Sequence, residues 1–181
     1  MQDNIIVKPS VEKQFDRFLR QGRVLFFSAP CGFGKTAVAE ALLSSREVLR
    51  LSADSAGFKL PSAEADWQIL LLDDLQDMQE EQDWNALCEL IRACPERRFV
   101  LLSRGTPPGS LMAFQYTGLM TVLEADDLLF DADDVRRLLR LYGVEAADSE
   151  IDGILKESVG YPLGVAITAR CMFPDKPWTP E

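Results

Sequence analysis

Two glycines, a lysine and a hydroxyl residue lie close together in the segment Ala29-Pro30-Cys31-Gly32-Phe33-Gly34-Lys35-Thr36. Glycines at this spacing let successive backbone N–H groups converge on an anion such as a phosphate. Lys35 would then reach the β- and γ-phosphates of a nucleotide, and the Thr36 hydroxyl would bind Mg²⁺. Ala29 replaces the first glycine of the usual G-x-x-x-x-G-K-[ST] pattern, but the glycines that shape the loop remain.

The residues around this segment, which we call the phosphate loop (residues 29–36), favour a binding role. Residues 24–27 form an apolar run typical of a buried strand, and residues 37–43 have a helical pattern. The loop would therefore precede the positive N-terminal end of a helix, as phosphate binding requires. An ordinary turn before a helix is the alternative for a lone G-x-G-K-T. The residues expected to contact nucleotide here are Pro30, Cys31, Gly32, Phe33, Gly34, Lys35, Thr36 and Ala37.

A second apolar run, residues 68–72, ends in the two acids Asp73 and Asp74. Its continuous hydrophobicity is typical of a central parallel strand that is covered on both faces. Ligands of open α/β sheets bind at the carboxyl ends of the strands, so these acids should lie beside the phosphate loop. We predict that Asp73 binds Mg²⁺ through water and that Asp74 polarises the attacking water. The alternative for Asp74 is a solvated acid that opens the next loop.

A third apolar run, residues 98–102, is followed by Ser103 and Arg104. Arg104 would sense the γ-phosphate if this strand also ends at the carboxyl edge of the sheet. The alternative is a surface arginine, because a loop rich in glycine and proline follows. The predicted catalytic residues are therefore Lys35, Asp73, Asp74 and Arg104, and the predicted metal ligands are Thr36 and Asp73.

The composition limits the chemistry that this chain can perform. Its 181 residues contain no histidine, which excludes histidine acid–base catalysis and most zinc sites. The four cysteines form no C-x-x-C pair, so a redox dithiol is not indicated and a reducing cytoplasmic setting is expected. A net charge of -10 argues against broad binding to nucleic acid or to acidic membranes. No apolar segment reaches the roughly 18 residues of a membrane span, so we expect no membrane association.

Apolar periodicity predicts the remaining elements and divides the chain. Helices are predicted over 11–21 and 80–94, with at most a short one over 62–67, and strands over 47–52 and 120–123. After residue 124 only helices are predicted, over 131–141, 149–158 and 165–171, with a break at 160–164. We expect a nucleotide-binding domain over 1–124, a helical lid domain over 125–172 and a linker over 173–181 to regions outside this chain.

Four motifs in this order resemble those of a known class. A-P-x-G-x-G-K-T, L-L-L-D-D, L-L-S-R and G-Y-P-L follow one another as in the STAND class of signal-transduction ATPases. Within that class the chain is most similar to the MalT-like group, whose members are typically LuxR-family transcriptional activators. The resemblance implies an α/β fold, the ASCE-type P-loop NTPase. This is a three-layer αβα sandwich whose parallel sheet has the strand order 5-1-4-3-2, followed by a small all-α domain.

The resemblance also assigns residues. By position, the phosphate-loop pair, the acidic pair and the arginine after the sensor strand are matched by Lys35, Thr36, Asp73, Asp74 and Arg104. Pro162 matches the proline of a G-x-P motif that contacts nucleotide near the adenosine, although a helix-breaking turn is the alternative. Residues 7–9 would line the adenine pocket. Gln76 departs from the family, which often has histidine there.

The function implied by the resemblance is a regulatory switch that binds ATP or ADP with Mg²⁺. ADP would hold a closed form, and ATP with an inducer would permit an open, self-associating form. We expect weak ATPase activity, because no arginine finger is evident in the sequence. Any contact with DNA would belong to a C-terminal region of a larger parent regulator. The alternatives are a working AAA+-like ATPase and a degenerate NTPase fold that acts as a protein-interaction scaffold.

Overall fold

The computed structural model describes residues 5–175 and residue 178. Its centre is a five-stranded sheet with the order β2-β3-β4-β1-β5, in which every neighbouring pair is parallel. This arrangement confirms the predicted fold class and the implied strand order, since 5-1-4-3-2 is the same order counted from the other edge. The strands are β1 (Val24–Ser28), β2 (Val48–Ser52), β3 (Ile69–Asp73), β4 (Arg98–Ser103) and β5 (Met120–Glu124).

Helices cover both faces of this sheet and continue beyond its last strand. They are α1 (Pro9–Gln21), α2 (Lys35–Leu43), α3 (Glu81–Ala93), α4 (Met112–Tyr116), α5 (Ala125–Leu128), α6 (Ala132–Leu141), α7 (Asp148–Ser158) and α8 (Pro162–Met172). Short 3-10 turns lie at Leu75–Asp77 and Gly109–Leu111. Because all strands run the same way, the residues at their carboxyl ends meet at a single edge, which we call the carboxyl edge.

The continuous apolar strands are buried on both sides. Side chains that alternate along β1 enter different clusters: Phe26 packs with α3, and Phe27 packs with α1 and α2. Both phenylalanines are fully buried. Burial on two faces removes the polar alternation of a half-exposed strand, which explains the sequence pattern.

A third cluster lies among α6, α7 and α8. Its centre is formed by Val135, Ile151, Ile154 and Val165, and Ile6 from the N-terminal segment packs into it. Helix α5 instead packs Leu128 into the cluster beneath α1 and α2. The division at residue 124 stays a prediction, and the N-terminal segment packs into both clusters, Ile6 into the third and Val7 into the one beneath α1 and α2.

Several element boundaries differ from the sequence prediction. Residues 62–67 form turns rather than a helix, with Trp67 buried against the sheet. The predicted break at 160–164 is wrong beyond residue 161, because Pro162 occupies the first turn of α8, where its missing N–H carries no cost. Helices α4 and α5 were not predicted, since four or five residues are too few to show a period. Most of the predicted linker lies outside the described residues.

Candidate functional site

The phosphate loop connects β1 to α2 at the carboxyl edge. Gly32 and Gly34 have φ angles of 82° and 77°, in the left-handed region that glycine adopts at little cost. Gly34 is also the N-cap residue of α2, so the loop leads directly into the helix terminus. The local sequence therefore produces the turn and the helix N-terminus that can together receive an anion.

Lys35 folds back over the loop that precedes it. Its Nζ donates to the carbonyl oxygens of Ala29 at 2.6 Å and Pro30 at 3.1 Å. Burial lowers the pKa of the Lys35 ammonium, and the Asp73 carboxylate opposes this shift. The ammonium is thus partly desolvated and held by neutral carbonyls, so a phosphate oxygen would be a stronger partner for it.

Thr36 and Asp73 meet as the sequence predicts. The Thr36 hydroxyl donates to the Asp73 carboxylate over 2.7 Å, and the backbone N–H of Asp74 donates to the other oxygen of the same carboxylate over 2.7 Å. A hydroxyl and a carboxylate are the hard oxygen donors that Mg²⁺ prefers, so these side chains fit the implied ion. In the described part of the chain no group of three His, Cys, Asp or Glu residues is placed to hold a metal ion, so the other ligands would come from phosphate and water.

Asp74 lies in a hydrogen-bonded network instead of facing solvent alone. It has a φ of 54°, and its carboxylate accepts from Ser52 at 3.1 Å and Gln76 at 2.9 Å. Arg104 lies 3.7 Å from the same carboxylate, and the Arg104 backbone N–H donates to the Gln76 side-chain oxygen at 3.2 Å. Gln76 therefore bridges the ends of β3 and β4 at the position where the resemblance implied a histidine.

Two adjoining cavities open at the phosphate loop. The first, about 450 Å³, is lined by most of the predicted site residues, including four charged side chains, and we call it the polar cleft. It is lined by Cys31, Gly32, Gly34, Lys35, Thr36, Ala37, Asp73, Asp74, Gln76, Arg104, Pro162 and Leu163. Of the predicted residues, Phe33 lines the second cavity instead, and Pro30 contributes its carbonyl to Lys35.

The second cavity, about 140 Å³, is apolar. Its walls come from the N-terminal segment, α2, the residues around α5, and α8. They are Ile5, Ile6, Lys8, Val11, Phe33, Gly34, Ala37, Val38, Leu128, Phe130, Leu138, Pro162 and Ala166. Lys8 is the one charged residue among them, and its Nζ is bonded to the Leu129 carbonyl and lies 3.6 Å from Asp134. The cavity shares Gly34, Ala37 and Pro162 with the polar cleft, so one ligand could extend through both.

Four residues of this site were missed from the sequence. Ser52 faces Asp73 in the parallel register, so the end of β2 could have revealed it. Gln76 carries a weaker signal, its position just after the acidic pair. Tyr161 and Leu163 contact the phosphate loop from 130 residues away, and nothing in the local pattern indicates this.

A scan against protein-family models and a search of curated proteins found no match to this chain. Among solved structures, it is similar to the Holliday-junction branch-migration motor RuvB of Thermotoga maritima, with a TM-score of 0.63 and 18% identity over 92% of this chain and 62% of that one. A replication initiator DnaA bound to AMPPCP and single-stranded DNA gives 0.64 and 16%, over 96% and 64%. The Walker-type ATPase PABY2304 of Pyrococcus abyssi gives 0.62 and 13%, over 94% and 69%.

Similarity at this level of identity establishes the fold alone. The chain spans about 62% of the RuvB chain, so more than a third of that protein has no counterpart in this match. The finer resemblance to the MalT-like STAND group is not confirmed by these matches. None of the helices in the described residues is long and apolar enough to cross a membrane. The sheet order, the loop between β1 and α2, and these structural neighbours together show that the chain has the fold of the P-loop ATPases.

Proposed function

We propose that this chain is the ATP- and ADP-binding switch module of a larger signal-responsive regulator, and that it hydrolyses ATP slowly. The observation that carries the proposal is the junction of an apolar cavity and a polar cleft at Gly34, Ala37 and Pro162. A nucleotide has the same two-part chemistry, an aromatic base followed by anionic phosphates. The base would lie between Phe33 and Pro162, and the phosphates would lie against the loop.

The roles of the polar residues follow from their positions in the cleft. Lys35 would exchange its two carbonyl partners for phosphate oxygens, and Thr36 with Asp73 would hold Mg²⁺, which neutralises phosphate charge when bound. Asp74 would orient the attacking water. Arg104 would contact the γ-phosphate, which only ATP carries, after leaving its ion pair with Asp74.

Slow hydrolysis is supported by the small number of cations in the cleft. Only Lys35 and Arg104 among its lining residues are cationic, and Arg104 is already paired with Asp74. An arginine finger supplied in cis or by a partner accelerates such reactions by about 10³–10⁵. A chain without it would keep its nucleotide long enough to act as a switch.

Contact with DNA would belong to other regions of the parent regulator, and self-association would accompany the ATP-bound form.

Thermal unfolding with Mg-ADP, Mg-ATP and Mg-GTP tests the proposal. A nucleotide at 100 times its Kd should stabilise the chain by about 2.7 kcal/mol, or raise its Tm by about 5–10 °C. We expect this shift with adenine nucleotides, its loss in Lys35→Ala, and its retention in Lys156→Ala, which removes an exposed lysine of α7. The absence of any shift in nucleotide-free protein would favour the scaffold alternative.

A steady-state assay separates the switch from a working ATPase. We expect the isolated chain to hydrolyse less than about one ATP per minute, the range of P-loop proteins with slow intrinsic hydrolysis. A rate of several per second, which lies in the ordinary range of enzymes, would overturn the switch interpretation while leaving nucleotide binding intact.

A further inference from the structure

The start of α8 is bonded directly to the phosphate loop. The Tyr161 hydroxyl donates to the carbonyl oxygen of Cys31 at 2.9 Å, and the Leu163 backbone N–H donates to the carbonyl oxygen of Gly32 at 3.2 Å. The rings of Tyr161 and Phe33 also pack with centroids 5.0 Å apart. We call these three interactions the helix–loop contact.

The helix–loop contact is closely fitted. A Cβ atom on Gly32 would lie 1.9 Å from the Tyr161 hydroxyl oxygen and 3.1 Å from a methyl carbon of Leu163. Cβ atoms essentially never lie within 3 Å of such a neighbour, so the tyrosine occupies the space that only a glycine leaves open. The contact thus depends on the loop sequence as well as on α8.

The turn that presents Tyr161 is strained. Val159 and Gly160 have φ angles of 53° and 75°, and the left-handed region is costly for a β-branched residue. Phe130 fixes this turn, because its N–H donates to the Gly160 carbonyl at 2.8 Å and its own carbonyl lies 2.5 Å from where a Gly160 Cβ would be. Strained backbone persists where its surroundings over-determine it, so the position of Tyr161 is set by packing on both sides.

The two bonded carbonyls determine where the loop N–H groups point. The Cys31 carbonyl shares a peptide unit with the Gly32 N–H, and the Gly32 carbonyl shares one with the Phe33 N–H. In a trans peptide these groups point in opposite directions, and the described residues include no cis bond. Carbonyls held toward α8 therefore turn both N–H groups away from it, and within the described chain neither has an acceptor.

We propose that Tyr161 is a positioning residue that holds the phosphate loop in its anion-receptive geometry and couples nucleotide binding to α8. This inference rests on the proposed function, because the anion in question is the phosphate of a nucleotide. The coupling is reciprocal. A nucleotide that requires this loop geometry stabilises the hydrogen bonds from Tyr161 and Leu163. The loss of those hydrogen bonds in turn lowers the affinity for the nucleotide.

Tyr161→Phe tests the inference, because it removes the hydroxyl and keeps the ring against Phe33. Tyr116→Phe is the matched control, since Tyr116 on α4 is 83% exposed. Titration calorimetry of the full chain with Mg-ADP should show a two- to fivefold higher Kd for Tyr161→Phe, about the effect of one exposed hydrogen bond, and an unchanged Kd for Tyr116→Phe.

A second measurement follows the Leu163 amide, which donates to the loop. Mg-ADP should slow its hydrogen exchange in the wild type and slow it at least twofold less in Tyr161→Phe. A purely structural role would instead change exchange equally with and without nucleotide. Thermal unfolding without ligand identifies a temperature at which both proteins are fully folded, and exchange is compared there.

The outcomes separate this inference from the proposed function. A Tyr161→Phe protein that binds Mg-ADP as the wild type does, with the same protection of Leu163, would overturn the positioning role and leave nucleotide binding intact. A wild-type chain that binds no Mg-ADP would overturn both. A raised Kd together with reduced protection would support the coupling.

Discussion

Two glycines of the phosphate loop form a matched pair for testing how closely α8 fits against it. Gly32 and Gly34 have nearly equal φ angles, 82° and 77°, so alanine should suffer the same backbone penalty of about 1–2 kcal/mol at each. Their surroundings differ. An added Cβ on Gly34 meets nothing within 4 Å, whereas one on Gly32 lies 1.9 Å from the Tyr161 hydroxyl.

The additional cost at Gly32 can be worked from the contacts that Tyr161 would lose. Moving its side chain away breaks one hydrogen bond, worth about 0.5–1.5 kcal/mol net, and one ring contact with Phe33, worth about 0.5–1.5 kcal/mol. We therefore expect Gly34→Ala to lower the free energy of unfolding by about 1–2 kcal/mol and Gly32→Ala by about 2–5 kcal/mol.

Urea unfolding without nucleotide, analysed by linear extrapolation, measures both values. The same two substitutions are then made in a Tyr161→Ala background. The cost of Gly32→Ala should fall there toward that of Gly34→Ala, with only the 3.1 Å contact to Leu163 remaining, which gives a coupling energy of about 1–3 kcal/mol between positions 32 and 161. Equal costs for the two glycines in the wild-type background, or a coupling below about 0.5 kcal/mol, would refute the close fit between loop and helix.

Three further substitutions test other parts of the structure. Asp73→Asn keeps the shape that faces Thr36 but removes the charge, so calorimetry should show binding of Mg-ATP weakened by about tenfold or more and little change for ADP in EDTA. Val159→Asn should raise the free energy of unfolding by about 0.5–1 kcal/mol, measured in urea, because asparagine tolerates the left-handed backbone. Burial raises the pKa of Asp134, so the stability contributed by this group is fully present below its unfolded pKa and is lost as pH rises through its folded pKa. The stability of the wild type relative to Asp134→Asn should therefore fall as the pH rises above about 4, the unfolded pKa of an aspartate, and a constant difference would contradict this assignment.

The sheet and the part of the candidate site around the phosphate loop and the acidic pair could be predicted because their signals are local. Burial on two faces makes a strand apolar throughout, and a left-handed turn before a helix requires glycine, so both leave a mark within a few residues. Because the strands are parallel, residues that follow different strands then meet at one edge of the sheet, and no other sequence signal is needed to predict this. The bond between Thr36 and Asp73 is the result, since Asp73 ends β3 and Thr36 follows β1, and both strands end at the carboxyl edge.

The part of the site that α8 contributes depends on packing that no local pattern records. Tyr161 reaches Cys31 only because α6, α7 and α8 fold back over the loop, and Ile6 of the N-terminal segment joins their cluster. Pro162 has the same dependence. Its sequence context indicates a break, while its position at the start of α8 makes it a wall shared by both cavities.

The pairing of Arg104 suggests how the cleft would distinguish ATP from ADP. Arg104 and Asp74 form a partly exposed ion pair at 3.7 Å, which contributes about 0–1 kcal/mol and is therefore easily exchanged. A γ-phosphate would be a doubly charged competitor for the same guanidinium, whereas ADP places no phosphate there. Release of Asp74 would leave its carboxylate with Ser52 and Gln76, and Gln76 is also bonded to the backbone of Arg104. The exchange would thus change the contacts at the ends of β2, β3 and β4 together. The helix–loop contact would instead respond to the phosphates that ATP and ADP share.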